Sequence, residues 1–138
     1  MRFMYSVGIR CMAGCIALAR LWNEKARLWT EGRRHWAERL RSALAGNMAD
    51  VLWFHVASLG EFEQGRELLS ACRNRYPEKK ILLTFFSPSG YEMCKNTPLA
   101  DVVAYLPADL PRNARLFLDI VQPKAAIFVK YEYWYNFM

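Results

Sequence analysis

Two carboxylates, three serines and a lysine stand at turns that a chain alternating strand and helix would gather along one edge. They are Ser58 and Glu61 in Ser58-Leu59-Gly60-Glu61, Ser87 and Ser89 in Ser87-Pro88-Ser89-Gly90, and Lys130 and Glu132 in Lys130-Tyr131-Glu132. A carboxylate in such a setting can take the proton of a hydroxyl, the work of a general base. Free helix amino termini beside it would favour an anion such as phosphate. A plainer reading runs alongside: Ser58-x-x-Glu61 is a capping-box pattern, whose glutamate does no more than close the first helical turn. Ser87 likewise has the place of an ordinary cap, and Glu132 that of a helix-start glutamate favoured by the dipole. No GxGxxG or GxxxxGK[ST] occurs, so neither a dinucleotide site nor a P-loop is supported. Cys11, Cys15, Cys72 and Cys94 form no CxxC pair and no metal-like partnership with His35 and His55. They read as small buried thiols of a reducing compartment.

The elements that must position these groups are α/β in character. Val51–Val56 is apolar or aromatic except for His55, the pattern of a strand buried on both faces of a parallel sheet. Further strands are expected near 80–85, 101–105 and 124–129, with helices over 61–75, 88–95 and 111–121 between them. Short connections in strand–helix alternation give parallel strands with helices on both faces. Prolines agree with this: Pro88 and Pro111 fall in first turns, while Tyr76-Pro77 and Gln122-Pro123 end helices. In an open parallel sheet every strand-to-helix turn emerges at the same edge, where ligands bind. The turns at 58–61, 87–90, 107–109 and 130–132 should therefore converge.

The first fifty residues differ in charge from the rest. They carry nine Lys/Arg against four Asp/Glu, whereas residues 51–138 carry ten against nine. A basic, aromatic-rich leader on a near-neutral body points to an anionic surface. Residues 3–22 do not suit a membrane span, because Arg10 interrupts them and only nine residues separate it from Arg20. No small-x-small cleavage site with a polar sequel marks a signal peptide. At helical spacing Arg2, Ser6, Arg10, Ala13, Ala17 and Arg20 share one face, and Met4, Tyr5, Gly8, Met12, Cys15, Ala19 and Trp22 the other. That is a cationic amphipathic helix of the kind that lies in a membrane interface, or else one packed on its own protein. A second amphipathic helix is expected from Trp29 to Leu44, with Trp36, Leu40 and Leu44 on one side. Arg33-Arg34-His35 reads as a solvated charged face that could also meet lipid phosphates. No nucleic-acid motif is recognisable.

The segments HVASLGEFEQGREL, ILLTFFSPSGYE, YLPADLPRNARLFLDIVQPKAAIFVKYEYW and the leader's GRRHWAERL closely resemble the amino-terminal half of the Kdo transferases. Members of that family move 3-deoxy-D-manno-octulosonic acid (Kdo) from CMP-Kdo to the lipid A precursor. The resemblance implies a GT-B fold, two Rossmann-like domains facing across a cleft, and a membrane-associating segment before the first. It implies that residues 1–30 are that segment and 31–138 an incomplete Rossmann-like acceptor domain at the cytoplasmic face of the inner membrane. It makes Glu61 of Gly60-Glu61-Phe62 the general base of an inverting transfer with no obligatory metal or other cofactor. Glu132 becomes an acceptor-site or supporting carboxylate, and Ser58, Gly60, Ser87, Ser89, Gly90 and Lys130 line the acceptor site. Tyr135 stands where the family commonly has proline. The nucleotide-sugar half would lie outside these 138 residues, so the chain alone is expected not to catalyse transfer. A non-catalytic lipid- or membrane-binding module, or a truncated pseudogene product, are the alternatives.

Overall fold

The computed structural model describes residues 2–46, 48–130 and 133–137. Three helices lead: α1 (Arg2–Ala19), α2 (Glu24–Gly32) and α3 (Trp36–Leu44). The alternating part follows as β1 (Val51–Val56), α4 (Leu59–Arg75), β2 (Lys80–Phe85), α5 (Pro88–Cys94), β3 (Val102–Tyr105), α6 (Pro111–Val121) and β4 (Ala125–Phe128). All strand pairs are parallel and the sheet order is β3-β2-β1-β4. β1 is thus central, Val51 to Val56 lying opposite Lys80 to Phe85, and Leu52 to His55 opposite Ala125 to Phe128. This is the Rossmann-like α/β arrangement expected, with β3 and β4 each about a residue shorter at their ends.

Strand periodicity divides the core in two. Val51 and Trp53 face α3 and α6 with Leu40, Leu82, Leu106, Phe117 and Val121. Leu52, Phe54 and Val56 face α4 and α5 with Phe62, Leu69, Ile81, Leu83 and Phe85. Every residue of β1 is buried, which explains its unbroken apolar run. Trp53 is the hub of the first side, its ring centroid 4.7 Å from Phe117, 5.0 Å from Phe128 and 5.8 Å from Phe137.

The leader departs from its sequence reading in three ways. First, Trp29–Leu44 is not one helix. α2 ends at Gly32 and α3 begins at Trp36, with His35 in the left-handed region (φ 50°) between them. The cause is Arg33, whose guanidinium turns inward rather than towards solvent. Its Nε donates to the Leu106 carbonyl and its Nη2 to the Phe86 carbonyl, both at 2.8 Å. Second, the faces of α1 are rotated from those expected. Ser6 is buried and Tyr5 half-buried, while Phe3, Met4, Val7 and Leu18 are exposed. A Tyr5 hydrogen bond to the body sets that rotation. Third, Cys11 and Cys15 are exposed on α1; of the four free thiols only Cys94 is buried. Among the described residues no helix is long and apolar enough to cross a membrane.

Candidate functional site at the carboxyl edge of the sheet

The sheet order places a topological switch between β1 and β4. From β1 the chain moves outwards through β2 to β3, then returns through α6 to the other flank of β1. The crevice of an open α/β sheet lies beyond the strand ends at such a point. Ala57–Gly60 follows β1 there, and Val129–Lys130 follows β4, with the Val129 amide donating to the His55 carbonyl at 3.0 Å.

Glu61 reaches this edge through local rules alone. Ser58 is the N-cap of α4, in extended conformation, and its Oγ accepts from the Glu61 amide at 3.4 Å. The reciprocal contact comes from Glu61, whose Oε2 accepts from the Ala57 amide at 2.5 Å. A capping box normally returns to the N-cap amide. Here it reaches one residue further, fastening the last turn of the strand exit to the helix. Gly60 is exposed, and a Cβ built on it would find only Ser58 Oγ, 4.0 Å away. Nothing in the fold demands glycine there.

The second turn lies against the first. The Ser87 amide donates to the Ala57 carbonyl at 2.8 Å. Ser87 takes the N-cap position of α5, but its side chain caps nothing; Ser87 Oγ shares a hydrogen bond with Ser89 Oγ at 2.9 Å. Gly90 is buried, and a Cβ on it would stand 2.7 Å from Phe85 Cδ1 and 3.0 Å from the Leu59 amide nitrogen. Its role is thus set by packing between the starts of α4 and α5. Lys130 is exposed in the left-handed region (φ 63°). Glu132 and Tyr131 lie outside the described residues. The turn after β3 joins the same edge: the Leu106 amide donates to the Phe85 carbonyl, and Asp109, 1% exposed, accepts from the Asn136 amide.

Two residues of this edge have roles outside their sequence reading, His55 with none assigned and Arg33 read as part of a solvated charged face. His55 is fully buried, and the Trp134 indole N–H donates to its Nε2 at 3.0 Å. Nε2 is therefore unprotonated, and the ring proton sits on Nδ1, donated to Thr84 Oγ1 at 2.9 Å. Thr84 Oγ1 also accepts from the Trp53 indole and donates to the Phe54 carbonyl, so the network is complete. Burial pushes the imidazole down to about 3, with the Arg33 charge acting in the same direction. One polar residue in an apolar strand was the only sequence signal. Arg33 is the second. Its guanidinium lies 4.1 Å from the Trp29 ring centroid and 4.9 Å from that of Tyr105, and enclosure lowers it to about 9. It ties the exits of β2 and β3 to the leader. The four-residue spacing of Trp29 and Arg33 puts both on one helical face, the one hint that could have revealed it.

The arrangement offers a fixed carboxylate, a pair of linked hydroxyls and an exposed ammonium on one edge, supported by a neutral histidine from beneath. Among the described residues no cluster of His, Cys, Asp and Glu could hold a metal ion. A family model described as 3-deoxy-D-manno-octulosonic-acid transferase (kdotransferase) matches residues 34–138. The chain is also similar to the 3-deoxy-D-manno-octulosonic acid transferase of Aquifex aeolicus, 37% identical over 89 residues, which is 64% of this chain and 24% of that protein. The Haemophilus influenzae protein of the same name is 38% identical over 87 residues, 62% of this chain and 20% of its own length. The Rickettsia felis one is 33% identical over 85 residues, 61% and 18%. The chain therefore matches about a quarter or less of these relatives' length.

Proposed function

Since the chain belongs to the 3-deoxy-D-manno-octulosonic-acid transferase (kdotransferase) family, we propose that it forms the acceptor-binding part of an enzyme moving Kdo from CMP-Kdo to the lipid A precursor. Glu61 is the general base. As the acceptor hydroxyl oxygen bonds to the anomeric carbon of Kdo, its proton passes to the Glu61 carboxylate. CMP leaves from the opposite side with the electrons of the broken bond, so configuration inverts. The observation that carries this reading is the carboxylate itself, held by the Ala57 amide at the switch point of the sheet. Oε2 is engaged there, and Oε1 is the oxygen that meets the acceptor. Ser58, Gly60, Ser87, Ser89 and Lys130 line the acceptor site, Gly90 shapes it, and Glu132 supports it.

Residues 1–30 act as the membrane-associating leader and 31–138 as the acceptor domain, the two meeting within α2. The exposed Phe3, Met4, Val7 and Leu18 of α1, continued by Leu21 and Trp22 and flanked by Arg10 and Arg20, support a leader lying in an anionic interface. We propose the cytoplasmic face of the inner membrane as the enzyme's place of work.

Glu61→Gln in the complete enzyme is the test. Glutamine keeps an oxygen for the Ala57 amide, so folding and acceptor binding persist while kcat falls by roughly two to four orders of magnitude. Turnover near the wild-type rate would end the base assignment.

A further inference from the structure

A buried carboxylate joins the leader to the segment beyond the switch point. Asp109, at the turn before α6, is 1% exposed. The Tyr5 hydroxyl of α1 donates to its Oδ2 at 2.6 Å, bridging 104 residues of chain. The Asn136 amide donates to Oδ1 at 3.1 Å and to Oδ2 at 3.3 Å, and Asn136 Nδ2 donates to the Asp109 carbonyl at 2.9 Å. The rings of Tyr5 and Tyr135 lie 5.6 Å apart. Among the described residues no lysine, arginine or histidine forms an ion pair with Asp109. Its donors are one tyrosine hydroxyl and the main chain. Burial and the Asp109 carboxylate raise the Tyr5 hydroxyl above the usual phenol range.

The segment leaving β4 is thus held at two points. Trp134 is fixed to His55 inside the sheet, while Asn136 is fixed to Asp109, which α1 also grips. Tyr5 follows Met4 directly, and Met4 is 76% exposed on the outer side of α1. A surface that meets Met4 therefore acts one residue away from the group that grips Asp109.

We infer that Tyr5, Asp109 and Asn136 form a positioning link, through which docking of α1 on a lipid surface sets the placement of residues 133–137 beside the acceptor edge. The docking half of this inference rests on the membrane reading given above; the link itself does not. Removing the Tyr5 hydroxyl leaves a buried carboxylate one donor short and frees the backbone of residues 135 and 136 to open.

Hydrogen exchange on the 138-residue chain tests both halves, with and without vesicles of phosphatidylethanolamine and phosphatidylglycerol. Without vesicles, Tyr5→Phe speeds exchange of the 135 and 136 amides about tenfold, the loss of one hydrogen bond, while β1 and β2 amides stay as they were. Asp109→Asn, which keeps one side-chain oxygen, gives an intermediate rate and serves should Tyr5→Phe not fold. Vesicles slow exchange in 133–137 of the wild type. In Tyr5→Phe they protect α1 alone. Unchanged exchange at 135 and 136 in Tyr5→Phe overturns the link. Equal vesicle protection of 133–137 in both proteins overturns its role in docking. Vesicles that protect neither protein refute the membrane reading, and the vesicle-free comparison still decides the link.

Discussion

With Oε2 held by the Ala57 amide at 2.5 Å, Glu61 gives up its side-chain freedom when the chain folds, so the acceptor proposed above would meet a carboxylate already ordered. For a long side chain that freedom is worth about 1.5–2 kcal/mol, so the ordering cost is borne in advance. Gly60 beside it has no steric need to be glycine. At the second position of α4, Gly60→Ala should leave thermal stability equal or raise it by up to about 1 kcal/mol. If the acceptor approaches the turn closely, the same methyl weakens acceptor binding in the complete enzyme, seen as a raised KM beside an unlowered Tm. His55 makes a different prediction. Its folded value lies near 3 against an ordinary 6.5, so the unfolded chain binds the extra proton between those values. The sign follows: its contribution is present above about pH 6.5 and lost as pH falls towards 3. Urea unfolding at pH 7 and pH 5 should show the wild type losing about 2 kcal/mol more than His55→Gln, from the linkage slope of about 1.4 kcal/mol per pH unit.

Elements were legible where one local rule decides them. Ser58, Pro88, Pro111 and the Gln122-Pro123 pair mark helix limits that the backbone honours within a residue or two, because a cap or a missing N–H acts regardless of distant partners. The leader was misread where tertiary contacts override periodicity. Trp29–Leu44 has helical spacing throughout, yet two carbonyls at the exits of β2 and β3 capture Arg33 and bend the chain. No property of residues 29–44 announces those carbonyls. The rotation of α1 was hidden for the same reason, since Tyr5 answers to Asp109. At the candidate site, motif and turn put Glu61 and the serines on one edge, but the support beneath them is long-range. His55, Thr84 and Trp134 come from three separate segments. A fault in an element can also be read from its backbone. Gln122 ends α6 in the left-handed region at φ 43°, a place that glycine takes without strain. Gln122→Gly should therefore raise stability by roughly 0.5–1 kcal/mol, measurable as a higher Tm, with the sheet-edge geometry untouched.

At the scale of the whole molecule, a parallel sheet places its least local pairing at its centre. β1 binds β2 after one helical crossover, but Leu52 meets Ala125 only across most of the chain. The parallel α/β class followed from alternation alone, whereas the order β3-β2-β1-β4, and with it the switch point, depends on which flank the fourth strand takes. On a ribosome this order becomes a schedule. α1 emerges ahead of β1 and, on the membrane reading proposed above, its exposed Phe3, Met4 and Val7 can find a lipid surface before any sheet exists to hold it. β1, β2 and β3 can then zip together as they appear, leaving one flank of β1 open until Ala125–Phe128 is made. Closing such distant contacts is slow. During that interval the bare edge of β1 offers unpaired amides and carbonyls to any neighbouring nascent chain, and on the membrane reading proposed above an early lipid berth for α1 would hold such neighbours apart.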